Sequence, residues 1–131
     1  MAAIPENYLD LTQKKAFAQL ATLMPDGSPH VAPVWFEYDG KNIIINTAKG
    51  RVKDKNMRHD PRVGIDILDP DNPFRHVSIR GRVVEITEKG ADEQIDKLTK
   101  KYIGQDKYPY RGNGEVRVTY IIEPQHIHSM G

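Results

Sequence analysis

The chain has no cysteine. Disulfides, thiolate metal sites and cysteine nucleophiles are excluded together, and folding is indifferent to the redox poise of the surroundings. Charge of one sign is also lacking: nineteen Lys and Arg stand against eighteen Asp and Glu, leaving +1. A general attraction to nucleic acid or to an anionic membrane is therefore not expected. No apolar run approaches the roughly 18 residues of a spanning helix. The opening "MAAIPENYLD" has no basic stretch leading into an apolar core, so a soluble, cytoplasmic protein is the expectation. Neither GxGxxG nor GxxxxGK followed by Ser or Thr occurs, which removes both common nucleotide loops. There is no repeat, low-complexity segment or linker, and 131 residues imply one domain over 1–131.

What is present is mostly strand signal. "AFAQLATLM", the turn "PDGS" and "PHVAPVWFEY" read as a hairpin, and "DGK" then leads into "NIIINTA". Residues 16–48 are thus expected to form three consecutive antiparallel strands. "RVGIDIL" alternates as a fourth strand, and "FRHVSIRGRVVEIT" is a long fifth, with Gly81 marking a bend or bulge. "VRVTYIIE" is the sixth, followed by a short tail, "PQHIHSMG". Short helices are expected in "IPENYLDLTQKK" and in "EKGADEQIDKLTKKYIG", where acids come first, lysines last, and Gly104 stops the run. Six strands joined mainly by hairpins give a mainly β protein, an antiparallel barrel with a few short helices.

The stretch "NTAKGRVKDKNMRHDPRV", residues 46–63, stands out. It crowds Lys49, Arg51, Lys53, Lys55, Arg58 and Arg62 into fourteen residues of a nearly neutral chain. Residues 50–59 suit one or two exposed helical turns, ended by Asp60-Pro61. Arg51 and Lys53 then sit at a helix amino end, where cations cost about 0.3–1 kcal/mol each but an anion is stabilised. Such a local fault points to an anionic ligand. The plain alternative is a solvated positive face. Nucleic acid competes less well, because the aromatics do not interleave with the charges.

These residues, with "DGSPHVAPVWF" before them and "GRVVEI", "KKYIGQDKYPYRG" and "EPQHIH" after, resemble the split β-barrel flavin and deazaflavin oxidoreductases. These are the pyridoxamine 5'-phosphate oxidase-like superfamily, and within it the resemblance is to the coenzyme F420-dependent branch. It covers residues 15–128 in order and spacing. It implies a six-stranded split barrel of the FMN-binding type and a homodimer with cofactor sites between subunits. It also implies hydride transfer from reduced deazaflavin to an electron-poor conjugated small molecule. Arg51 and Lys53 match the phosphate clamp, and Thr47 a strand-end hydroxyl near it. Asn56 is placed to support Lys53. Ala32, Pro33, Val34 and Trp35 match the strand along the ring, and His76 the strand reaching the ring from the other subunit. "HVAPVWFEY" has no Arg or Lys where the vitamin B6 oxidases carry basic residues, which speaks against pyridoxamine phosphate oxidation. The alternatives are an FMN-binding oxidoreductase of the same fold, or a non-enzymatic carrier of F420 or FMN.

Hard chemistry of this kind belongs to the cofactor, so no protein nucleophile and no metal site is expected. His126 and His128 share one side of an extended chain but lack a third ligand nearby, and surface or subunit contacts account for them. Tyr102, Tyr108, Tyr110 and Arg111 gather about the late loop, either covering a seam or facing a ligand. Tyr108 or Tyr110 is the candidate proton donor if a side chain supplies one.

Overall fold

The computed structural model describes residues 2–131. Seven strands form one antiparallel sheet: β1 Ala18–Leu23, β2 Pro29–Val34, β3 Glu37–Tyr38, β4 Ile43–Ala48, β5 Arg62–Leu68, β6 His76–Thr87 and β7 Arg117–Met130. Their order is β2-β1-β5-β6-β7-β4-β3, and the sheet curls into a half-barrel. A 3-10 helix, Glu6–Thr12, precedes β1; α1 is Val52–His59 and α2 is Ala91–Ile103. Among the described residues no helix is long and apolar enough to cross a membrane.

The sheet interior is filled by alternate residues of the long strands. Leu20, Ile43, Ile45, Ile65, Ile67, Val77, Ile79, Val118, Tyr120 and Ile122 are all buried in one cluster with Phe36, Leu11 and Met57. Burying each such side chain contributes about 1.5–3 kcal/mol. A second cluster, Ile95, Leu98 and Tyr102, lies under α2 and takes in Trp35 and Tyr108. Because α2 covers the outside of β4 and β7, "RVTY" at the start of β7 is enclosed on both faces and shows no polar alternation in its burial.

Seven strands replace the expected six. The run 29–38 breaks at Trp35–Phe36, since β2 pairs with β1 whereas β3 pairs with β4 at the far end of the sheet. No neighbouring strand completes the backbone there; side chains of α2 do. The Phe36 N–H donates to the Tyr102 hydroxyl (3.3 Å) and the Lys101 amine donates to the Phe36 carbonyl (2.9 Å). The supposed tail is the end of β7, paired with β6 from Ser78↔His128 to His76↔Met130. Gly81 does mark a bulge: the register shifts between Arg80 and Gly81. A Cβ at Gly81 would lie 2.9 Å from the Glu123 carbonyl oxygen, so only glycine fits that approach.

α1 is not the freely solvated turn its composition suggests. Asp54, Asn56 and Met57 are buried, and only the remaining faces carry charge to solvent. Met57 enters the main core, so this two-turn helix is held by packing rather than by propensity.

Candidate functional site

Strand β4 ends at Ala48, and Gly50 (φ 93°) turns the chain so that Arg51 becomes the N-cap of α1. Asp54, in the third helical position, reaches back to accept the Gly50 N–H at 2.8 Å and also takes Arg58 Nε at 2.9 Å. One acid thereby fixes the turn and offsets part of the basic run. Arg51 and Lys53 are left facing a cleft of about 190 Å3. Register brings β7 to the same place: Ala48 pairs with Arg117, and Lys49 N–H donates to the Val116 carbonyl at 2.8 Å.

The charges of the cleft do not balance. Arg117, with its side chain only 3% exposed, places Nη1 3.0 Å from Glu115 Oε2 and Nε 2.9 Å from Asn46 Oδ1. Asn46 is fixed in turn by donating to the Ala91 carbonyl (2.8 Å) and Gln94 Oε1 (3.0 Å). Arg51 lies 3.6 Å from Glu115 Oε1 and is half exposed. Lys53 forms no ion pair among the described residues. Desolvation, and then the nearby Arg51 and Arg117, pull its amine below the ordinary lysine value. Three cations line this end of the cleft, and one carboxylate, Glu115, pairs with two of them, an excess of two positive charges. The Thr47 hydroxyl lines the same cleft, is buried, and has no hydrogen-bond partner among the described residues. An anionic group suits this donor set: it would bond with groups that are otherwise crowded or unsatisfied.

The other wall is apolar and aromatic. Pro33 and Val34 at the end of β2 and Trp35 just beyond it, with Phe17 and Ile95, border the cleft. Trp35 stacks on Tyr102, centroids 5.2 Å apart and planes 4° from parallel, while Tyr108 meets it edge-on at 6.2 Å. Tyr110 meets Tyr108 edge-on at 5.7 Å, and the Arg117 guanidinium lies 4.9 Å from the Tyr108 ring centre. The Tyr102 hydroxyl donates to the Ala16 carbonyl at 2.6 Å, and burial pushes it up to about 12. Tyr102 is a strut, and the phenols on the cleft are Tyr108 and Tyr110.

Besides the candidate proton donors Tyr108 and Tyr110, six of the nine residues matched to a cofactor site in the sequence line this cleft: Thr47, Arg51, Lys53, Pro33, Val34 and Trp35. Three do not. Asn56 is buried on the other side of α1, where Nδ2 donates to Thr22 Oγ1 (3.0 Å) and Met24 Sδ (3.2 Å); its bonds tie α1 to β1 rather than support Lys53. Ala32 sits on β2 opposite Leu20. His76 lies on β6, with Nδ1 2.7 Å from Asp66 Oδ1, outside the cleft. Arg111 pairs with Asp92 at 2.9 Å. His126 and His128 stand opposite Arg80 and Ser78, and no cluster of three metal-ligating side chains occurs among the described residues.

Arg117, Asn46 and Glu115 were less conspicuous in the sequence. In "GEVRVTY" the arginine occupies a place that reads as the solvent face of a strand, and its burial depends on α2 arriving from elsewhere. The available signal was a polar Asn ending "NIIIN" and an acid two residues before an arginine at a strand start.

Over residues 4–130 the sequence matches the family described as pyridoxamine 5'-phosphate oxidase. Among solved structures, one described as an F420 reductase is 31% identical, with 95% of this chain and 98% of that one covered and a TM-score of 0.85. A conserved hypothetical protein from Mycobacterium tuberculosis is 28% identical, covering 97% and 84%, with a TM-score of 0.74. HupZ from Group A Streptococcus shares the fold at 22% identity, 96% and 93% coverage and a TM-score of 0.70. With the family match spanning nearly its whole length, this chain belongs to the pyridoxamine 5'-phosphate oxidase family of split-barrel flavin and deazaflavin proteins.

Proposed function

We propose that the protein is a coenzyme F420-dependent reductase acting on a planar, electron-poor conjugated small molecule. The observation that carries this is one cleft with under-neutralised cations at the α1 amino end and an apolar, aromatic wall beside them. That is the polarity of a flat ring with an anionic tail. The fold of this family binds flavin-type cofactors, and the 31% identity to an F420 reductase favours the deazaflavin. So does the absence of any Arg or Lys on β2.

Arg51 and Lys53 would hold the tail phosphate, with the unpaired Thr47 hydroxyl donating to it. Pro33, Val34 and Trp35 would lie along the ring, with Ala32 contributing through the same strand. When bound, reduced deazaflavin supplies the hydride that reduces an activated C=C or C=N. The chain's own part is to orient and to exclude water. Trp35 is held flat by Tyr102, and Tyr108 and Tyr110 close the aromatic side. The accompanying proton comes from solvent or from one of these two phenols. His76 lies outside this chain's cleft, so its contact with the ring requires a second copy. A homodimer with interfacial sites is therefore part of this reading.

FMN is the second reading, and one observation favours it: an excess of two positive charges suits a doubly charged phosphomonoester. Titration of the protein with oxidised F420 and with FMN, followed by ring fluorescence, tests both. The expected result is tighter binding of F420, with turnover of the reduced form on enones or quinones. If neither ring responds to the protein, the reading fails. Tight binding without turnover leaves a carrier.

A further inference from the structure

The carboxylate of Glu115 is wedged between the two guanidinium groups of the cleft, Oε2 3.0 Å from Arg117 and Oε1 3.6 Å from Arg51. Its side chain is only 11% exposed. Glu115 does not itself line the cleft, but it is paired to two of the cations that do. It therefore competes with an anionic ligand for the same donors, and its presence calls for a reason. Balancing the buried charge of Arg117 is part of it, but fixing that side chain in place is not. Arg117 already has a 2.9 Å bond to Asn46, packs against the Tyr108 ring, and Asn46 is locked from α2 by two bonds of its own.

We infer that Glu115 is a specificity-determining residue, a built-in counter-ion that tilts the cleft toward a singly charged phosphodiester and away from a doubly charged phosphomonoester. The inference rests on the phosphate-binding reading of the cleft given above. Coulomb repulsion is linear in the ligand's charge, so one fixed carboxylate opposes a dianion twice as strongly as a monoanion at the same position. Three cations alone would select for the higher charge; one nearby acid reduces that selection. A monoester carries about −1.5 to −2 near neutral pH, whereas a diester carries a single charge. The tail of a deazaflavin is joined through a diester, and FMN ends in a monoester. Glu115 therefore discriminates between the two cofactor classes without touching either ring.

The test uses one ring with two tails: riboflavin 5'-phosphate and its methyl ester, titrated at pH 8 and fixed ionic strength by flavin fluorescence. Glu115→Gln keeps the size and the hydrogen-bonding capacity toward Arg117 while removing the charge. The expected outcome is tighter binding of both compounds, about threefold for the diester and about tenfold for the monoester, the second gain near the square of the first. Glu115→Ala, which also gives up the bond to Arg117, should rank the gains in the same order. Equal gains for the two tails, or weaker binding of both to Glu115→Gln, would overturn the inference and make Glu115 a holder of Arg117. Those results leave the cleft reading intact as long as Arg51→Ala weakens wild-type binding. No binding of either compound, or indifference to Arg51→Ala, overturns both.

Discussion

The amine of Lys101 lies 4.5 Å from the Phe36 ring centre and donates to the carbonyl of that same residue at 2.9 Å. A second bond, 2.8 Å to the Thr12 carbonyl, completes a clasp in which α2 holds the β2–β3 break against the end of the 3-10 helix. Phe36 is fully buried, so its backbone has no water to turn to.

Burial holds the Lys101 amine down at about 8, with Glu37 opposing weakly. Between about pH 8 and the ordinary lysine value of 10.5, the unfolded chain keeps a proton that the folded chain has released. Stability must therefore rise with pH across that window and be flat below it. Urea unfolding of wild type and Lys101→Met from pH 7 to 10.5 should show the difference moving in favour of wild type above pH 8. At pH 7 the variant should be less stable by about 1–3 kcal/mol, because two carbonyls lose their donor. A difference independent of pH would mean that the amine titrates normally.

Asn56 and Thr22 separate scaffold from site. The Asn56 amide donates to the Thr22 hydroxyl at 3.0 Å, and both residues are almost inaccessible. Asn56→Ala strands a buried hydroxyl and loosens α1 from β1, at a cost of about 1–3 kcal/mol. Cofactor affinity of the protein that remains folded should be unchanged. A loss of affinity at constant stability would place Asn56 in the cleft after all.

The barrel was legible because its long strands alternate cleanly over residues 62–87 and because "PDGS" and "DGK" are unambiguous turns. The basic run drew notice to the amino end of α1 because it violates helix charge preference locally. What sequence hid was decided at long range. The break at Trp35–Phe36 exists only because β3 finds β4 rather than β1, and its backbone is completed by residues 65 or more positions away. Arg117 and Asn46 reach each other across 71 positions, under a helix whose docking no local pattern announces. Asn56 misled for the opposite reason: helical spacing puts it one turn from Lys53 in sequence, but the buried face of α1 turns it toward Thr22.

Asp69 anchors the other end of the molecule. Its carboxylate accepts the Asp71 N–H at 2.9 Å and pairs with Arg75 (2.9 Å) and Lys14 (3.1 Å), tying the β5–β6 loop to the segment just after the 3-10 helix. The Asp71 N–H first, and then the two cations, hold it down at about 2. That stabilisation is complete above the ordinary value of 3.8 and is lost as pH falls through about 2. Wild type should lose stability between pH 4 and 2 more steeply than Asp69→Asn, measured by chemical denaturation. Parallel curves would remove Asp69 from the acid response.

Arg51 and Lys53 should be inseparable in their effect on the ligand and nearly silent in stability. Arg51 is half exposed and loosely paired, and Lys53 has no acidic partner among the described residues, so neither holds the fold together. Replacing both by alanine relieves mutual repulsion and two helix-end cations, and the melting temperature should stay level or rise slightly. Binding has the opposite outcome. Charge-assisted bonds contribute roughly 1.5–3 kcal/mol each, so cofactor affinity should fall at least ~100-fold. Because the Lys53 amine sits below its ordinary value, wild-type affinity should also decline with rising pH before a normal lysine would titrate, and Lys53→Arg should abolish that decline. Unchanged affinity in the double alanine variant, read by ring fluorescence, would move the phosphate away from the amino end of α1.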